Sequence, residues 1–519
     1  MKKILSTVAG AVALGLLVGC GGSDSQTAAL NPSTANGTLI YTPPLRIASV
    51  TAADFATELS ASTSGAQLLQ LAGTPTCGVD FYYIDYQTKG GAGETATASG
   101  ALMVPNGSAA VCSGARPVVL YAHGTTTDKN YNIADITNTA NTEGALVGAM
   151  FAAQGYTVIA PNYVGYDSSS LSYHPYLNAA QQSGEMVDAL TAGRAALPTL
   201  PNAKVSDNGK LFLTGYSEGG HVAMATMRAL QTAGKTVTAA VPMSGPYALE
   251  AFGDAIFYGQ VNIGSTVFSP LLVISYQKAY GNIYSAVSDV FSPTYATGID
   301  TLLPSATPLA TLFQTGKLPQ TALFSSTTPV TPSPALNAAL AVPANPLFAS
   351  GFGASFLVNN SYRVAYASDA AANPDGALPV PASGVPLAAT APTQPLRNAF
   401  WKNDLRNGTW RPSAPVLMCG GGQDPTVFYS VNTGTMQAFW ATLPAGLVRT
   451  LDVNAAPAGT FAQIQGAFQQ SQAQTLAFLQ TAAGGGLSAA AAQQQLVANY
   501  HSAVAPFCTL AARSFFAAF

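Results

Sequence analysis

Twenty residues, "LFLTGYSEGGHVAMATMRAL" from Leu211 to Leu230, constrain this chain more than any other stretch. An apolar run ends in Gly215-Tyr216-Ser217-Glu218-Gly219, and a helix-period segment follows at once. The spacing alone decides little, because the composition supplies about 0.35 chance matches to G-x-S-x-G. The flanks carry the case. A serine nucleophile on a sharp turn needs a strand before it, glycines where side chains would clash, and a helix N-terminus facing it. Lys210 to Thr214 reads as a short buried strand, and Ala223, Met224, Met227 and Leu230 fall on one helical face. Gly219 and Gly220 stand where that helix would cross closest to a sheet.

Around this turn the pattern alternates. "CGVDFYYIDYQT" and "ETATASGALMVP" predict a β-hairpin, and "RPVVLYAHG" predicts a strand ending in His123-Gly124. "ALVGAMFAAQGY" and "AAQQSGEMVDALTAGRAAL" read as helices, with strands at "YTVIAPNYVGY" and "TVTAAVPMSGPY". Such alternation predicts an α/β fold with a doubly wound, mostly parallel sheet. It breaks after Tyr247. Residues 248–400, rich in Pro, Ser, Thr and Ala, read as a mainly helical cap insertion, since a structureless stretch of that size does not suit a compact domain. Sheet pattern returns at "APVLMCGGGQDPTVFY", followed by a helix over "VFYSVNTGTMQAFWATL", a strand at "GLVRTLDV" and a Gln/Ala-rich helical stretch over 461–496. Residues 37–247 and 401–519 are thus the two parts of one core.

Charge is sparse: 8% of residues are Asp, Glu, Lys or Arg against 48% hydrophobic, so neither a basic surface nor a zinc-type Cys/His spacing supports a nucleic-acid partner. Residues 1–19 read as a signal peptide, with Lys2 and Lys3 before a short apolar run, too short for an ordinary membrane span. The ending Leu17-Val18-Gly19-Cys20 resembles a bacterial lipobox, which implies a diacylglyceryl anchor on Cys20. With Gly21 rather than Asp after the cysteine, the resemblance implies an exported outer-membrane lipoprotein, on the periplasmic face or the cell surface. Residues 20–36 then read as a flexible tether. The four other cysteines allow three pairings. Those expected are Cys77–Cys112, closing the hairpin region, and Cys419–Cys508, with four free thiols as the alternative.

A serine hydroxyl needs a histidine to take its proton, and that imidazole needs a carboxylate to fix its tautomer. Four histidines permit elimination. His123 ends a strand, where its backbone matters more than its ring; His174 lies upstream in a Pro-containing loop; His221 is one turn into the elbow helix. In the order Ser, acid, His, only His501 fits. Asp424, delivered by "GGGQD" just after the strand Val416–Cys419, is the expected acid, and Asp452 at the end of a later strand is its rival. The oxyanion donors expected are the backbone N–H groups of Glu218, at the helix N-terminus, and Thr125, after the His123-Gly124 strand.

"YAHG" at 121–124, "PNYVGYDSS" at 161–169, "HPYL" at 174–177, "GYSEGG" at 215–220 and "YHSAVAPF" at 500–507 resemble the α/β-hydrolase superfamily and, within it, the secreted lipase family that includes Candida antarctica lipase A. The resemblance implies a cap inserted before the acid strand, carboxylic ester hydrolysis, and Ser217, Asp424 and His501 as a triad. The long stretch between Asp424 and His501 departs from it. The reading is a lipid-anchored serine esterase or lipase acting through an acyl-enzyme on aliphatic ester, lipid or polyester-like substrates, with no metal or organic cofactor implied. Phe252, Phe257, Tyr258 and Phe268 are candidates for the acyl site. Two rivals stand beside it: a serine exopeptidase, for which Asp254 and Asp289 would have to receive a substrate amino terminus, and a non-catalytic surface lipoprotein.

Overall fold

The computed structural model describes residues 28–138, 142–201, 203–377, 385–481 and 485–519. The signal peptide and Cys20 lie outside the described residues. The hairpin forms as the alternation requires: β2 (Gly78–Lys89) pairs antiparallel with β3 (Thr95–Asn106) along its whole length, and β1 (Leu45–Val50) adds to the outer edge. The other strands are β4 (Gly114–Ala122), β5 (Thr157–Pro161), β6 (Val205–Tyr216), β7 (Ala239–Met243), β8 (Val416–Gly420) and β9 (Val448–Asp452). They complete one nine-stranded sheet in the order β9-β8-β7-β6-β4-β5-β3-β2-β1. From β5 and β4 to β9 every pairing is parallel, and β3 meets β5 antiparallel.

Helices cover both faces, which is why the parallel strands read as unbroken apolar runs. α1 (Thr63–Ala72) and α2 (Thr142–Met150) lie on one face with the C-terminal helix; α3 (Ala179–Ala196) and α4 (Glu218–Thr232) lie on the other. Ala29–Leu30, within the stretch expected as a tether, pairs antiparallel with Tyr41–Thr42, and Gly37 N–H donates to Gln87 C=O at 2.8 Å. The last part of the stretch is thus paired with residues 41–42, and the bond to β2 comes from Gly37, just beyond it.

Between β7 and β8 the insertion builds an apolar core of its own, in which Phe257, Leu271, Phe291, Leu357, Tyr366 and Phe400 are buried. Its helices include α5 (Leu249–Phe257), α6 (Ser265–Tyr280), α7 (Asn360–Ala372) and α8 (Pro395–Asn403). One fully buried guanidinium joins three of them. Arg397 of α8 donates to both carboxylate oxygens of Asp254 on α5 at 2.8 Å, reaches Asp369 on α7 at 3.1 Å, and lies 3.1 Å from Glu250. Burial pushes the Glu250 carboxyl up to about 8, helped by Asp375 and opposed by Arg397. After β9 come α9 (Ala462–Thr481), α10 (Ala489–Ala498) and α11 (Tyr500–Phe516).

Replacing Arg397 with Ala leaves buried carboxyl groups without their cation, so the variant should lose about 3–5 kcal/mol of stability, read as a lower urea midpoint of unfolding. An unchanged midpoint would mean the guanidinium does not hold these helices.

Candidate active site

Ser217 joins β6 to α4 at φ 59° and ψ −121°, a backbone that side chains other than glycine rarely adopt. It is held by close packing. A Cβ on Gly219 would stand 2.0 Å from Ala122 C=O, and one on Gly220 would stand 2.4 Å from Met243 C=O, so the first turn of α4 rides directly over β4 and β7. Ser217 N–H donates to Met243 C=O at 2.9 Å. As the first residue of the helix, Glu218 has an N–H with no partner one turn back, and the helix dipole adds positive potential there.

Asp424 follows β8 on the glycine turn. Its Oδ1 accepts from Thr426 N–H at 2.9 Å and Val427 N–H at 3.1 Å, while Oδ2 meets Nδ1 of His501 at 2.6 Å. Nδ1 must therefore carry the proton, which leaves Nε2, buried and without a hydrogen-bond partner among the described residues, as the basic nitrogen. Asp452 is used differently. Its Oδ1 accepts from Gly422 N–H at 2.7 Å and Asn454 N–H at 2.8 Å, bracing the turn that presents Asp424. Disulfides join Cys77 to Cys112 and Cys419 to Cys508. The second ties β8 to α11, the two elements that carry Asp424 and His501. Ser217, His501, Gly124 and Thr125 line one cavity.

The loop after β4 is fixed by groups the sequence did not single out. Tyr163 Oη donates to His123 C=O at 3.1 Å, and Gly124 N–H donates to Glu143 at 3.0 Å, so the peptide plane between them is held at both ends. His123 Nδ1 lies 2.6 Å from Gly124 C=O, fixing the next plane, whose N–H belongs to Thr125. Burial pushes His123 down to about 4, against the charge of Glu218, so the ring is neutral and has one proton to give; the shorter contact takes it over Asn162 C=O at 3.1 Å. His123 thus acts through its ring as well as its backbone. Glu143, on the first turn of α2, also accepts from Tyr121 Oη at 2.7 Å; burial pushes it up to about 7 while the Tyr121 and Gly124 hydrogen bonds pull it down.

His174 and the Glu218 side chain form a fully buried pair at 2.6 Å. His174 Nδ1 lies 2.9 Å from Val164 C=O and Gln182 Nε2 donates to Glu218 at 2.6 Å. A carboxylate faces one nitrogen of His174 and a carbonyl the other, which favours the protonated ring. Burial opposes this, yet the Glu218 charge and hydrogen bond hold its pKa above the usual 6.5. Burial likewise opposes ionisation of Glu218, and His174 outweighs it, holding the carboxyl below 4.5. Tyr176 Oη pairs with Thr125 Oγ1 at 3.0 Å, and Tyr166 Oη donates to Thr126 C=O at 2.6 Å. The "PNYVGYDSS" and "HPYL" motifs are therefore the scaffold beneath both expected oxyanion donors. Their recurrence of Tyr and His was the signal available in the sequence.

A second cavity, almost wholly apolar, runs from Ser217 and Glu218 into the cap. Phe252, Phe257 and Phe268 line it together with Leu249, Leu272 and Phe400. Tyr258 does not; it packs beside Leu336 and Leu340, because it follows α5 and turns to the far side of that helix.

Residues 133–235 match the family model described as secretory lipase. No curated protein matches the sequence. Among solved structures, a ligand-bound form of LipA from Xanthomonas oryzae, a rice cell wall degrading esterase, superposes with a TM-score of 0.64 at 23% identity, over 92% of this chain and 98% of that one. A Legionella pneumophila protein described as a hydrolase gives 0.60 at 18%, over 91% and 96%. Candida antarctica lipase A gives 0.45 at 12%, over 80% and 76%. The fold is that of an α/β-hydrolase. The segment matching the secretory lipases carries the elbow and the tyrosine scaffold; Asp424, His501 and the cap lie beyond it.

Two outcomes test the site's supports. The raised His174 contributes stability in full below 6.5 and loses it as pH rises through its folded value; the lowered Glu218 contributes in full above 4.5 and loses it as pH falls through its own. The stability difference between wild type and the double variant His174→Phe/Glu218→Leu should therefore peak between these values and shrink on both sides, measured by denaturation across pH. Replacing Cys419 and Cys508 with Ser opens a long loop and should cost roughly 4–5 kcal/mol. It should also lower kcat on an ester substrate, whereas the Cys77/Cys112 pair, remote from His501, should cost stability alone.

Proposed function

We propose that the protein is a serine carboxylic-ester hydrolase, an esterase or lipase working through an acyl-enzyme. The observation that carries this reading is Asp424 at 2.6 Å from His501, with His501 and the strained Ser217 lining one cavity. Ser217 Oγ attacks the ester carbonyl carbon while its proton passes to His501 Nε2. The oxyanion is received by the N–H groups of Glu218 and Thr125. Collapse breaks the bond to the alcohol oxygen, which takes the proton from His501; a water, deprotonated by the same nitrogen, then releases the acid. Asp424 keeps Nδ1 protonated and stabilises the imidazolium.

The match to secretory lipases and the esterase and hydrolase neighbours support ester cleavage. The apolar cavity supports an aliphatic acyl chain, because its walls are almost free of polar surface. The exopeptidase reading loses its carboxylates. Asp254 is neutralised by Arg397, and Asp289 accepts from the N–H groups of Ser285 and Ala286. The protein is exported, as its disulfides suit, and anchored through a lipid on Cys20.

On p-nitrophenyl esters of rising chain length, protein beginning after Cys20 should be active and Ser217→Ala should fall to background; a folded wild type inert on every ester would overturn the reading. Glu143→Ala frees the Gly124 N–H and should lower kcat roughly ten- to a hundredfold with little change in KM. Glu143→Gln, which keeps an acceptor oxygen, should restore most of the rate.

A further inference from the structure

The alcohol side of the ester has a path of its own. A leaving alkoxide takes its proton from His501, so the alcohol must lie in the cavity that His501 lines. The apolar cavity contains Ser217 and Glu218 but not His501, and is left for the acyl chain. At Ser64, Leu68 and Pro506 the His501 cavity adjoins a groove between α1, α9 and α11. Gln67 and Gln70 project from α1, Gln470, Gln472 and Gln474 from α9, and Asn499 closes one end. Among the described residues no charged side chain lines the groove, and Leu71, Ala467 and Phe507 supply apolar surface between the amides.

We propose that this groove is a subsite for an uncharged, oxygen-rich alcohol moiety, extending the ester-hydrolase reading on which it rests. Primary amides offer both donors and acceptors, which suits hydroxyl, ether and ester oxygens. Within the described residues no hydrogen bond occupies the side chains of the five glutamines. The absence of charge gives an ionic headgroup nothing to pair with, and an all-carbon chain would strip the amides of water without replacing its hydrogen bonds. α9 lies in the long stretch between Asp424 and His501, so the segment that departs from the secreted lipase pattern builds one wall of the groove. Two kinds of molecule share this chemistry: a sugar or polyol ester, and an oligoester whose next unit continues from the alcohol oxygen.

The test uses hexanoyl esters that differ only in the alcohol: 1-butanol, glucose, and a methyl-capped hydroxybutyrate dimer. kcat/KM should be at least several-fold higher for one or both oxygen-rich esters than for the butyl ester, and the favoured ester identifies the source. In Gln70→Leu/Gln474→Leu the ratio of oxygen-rich to butyl kcat/KM should fall roughly tenfold, the loss expected of two neutral hydrogen bonds. A wild type that takes the butyl ester equally well, or a ratio unmoved by the double variant, overturns the subsite. A folded wild type that leaves p-nitrophenyl hexanoate and all three esters intact overturns the hydrolase reading instead.

Discussion

The backbone of Ser217 is the constraint on which the rest of the site depends. A residue at φ 59° between a strand and a helix survives only if its surroundings fix it on every side. Glycines at 219 and 220 let α4 descend onto β4 and β7, the N–H of Ser217 is taken by Met243, and the side chain of Glu218 is locked beneath the turn by His174. Each contact comes from a different strand end or loop, so the turn cannot relax without moving the sheet's carboxyl edge. The strain is of order 1–3 kcal/mol, and it persists because these contacts over-determine the turn.

The same logic extends to the loop opposite. An oxyanion donor is useful only if its N–H points to the right place before the substrate arrives. Two consecutive peptide planes after β4 are held by Tyr163, Glu143 and the His123 ring, and the plane that carries Thr125 N–H is set by what grips its carbonyl. In a chain with so few charges, several of the buried carboxylates and cations hold the structure together. Glu143 holds the loop, Glu218 and His174 hold the elbow, and Arg397 and Arg406 hold the cap's base through Asp254, Asp375 and Asp404. Arg363 is the exception: it lacks a carboxylate and instead lies over Phe324 and Phe352, and burial lowers it to about 10.

What was legible in the sequence follows from where each signal resides. The sheet could be read because its strands are unbroken apolar runs bounded by turn residues, and the elbow because its demands fall within ten consecutive residues. Chain order and the small number of histidines pointed to His501 and Asp424, and the structure places these two side chains 2.6 Å apart. The His174–Glu218 pair spans 44 residues and Glu143 reaches back 19, contacts made only when the fold brings two loops together; no local period announces them. His174 was set aside as the base because of its position in the chain order, an argument that said nothing of its buried pairing with Glu218. In the cap the composition marked an insertion, yet its arrangement rests on buried ion pairs between α5, α7 and α8, so Tyr258 could not be told from Phe257 by spacing alone.

Two cavities meeting at one serine also impose an order on the proposed reaction. The acyl chain takes the apolar space that runs into the cap, while the alcohol lies in the cavity that His501 lines and in the amide-bearing groove that continues it. After the first half-reaction the acyl group is still held by the covalent bond and by burial, whereas the alcohol keeps only hydrogen bonds that water can replace. The alcohol therefore leaves by the groove, and the space it vacates is the one through which a water can reach Nε2. Hydrolysis by this route thus needs no movement of the cap between its two halves.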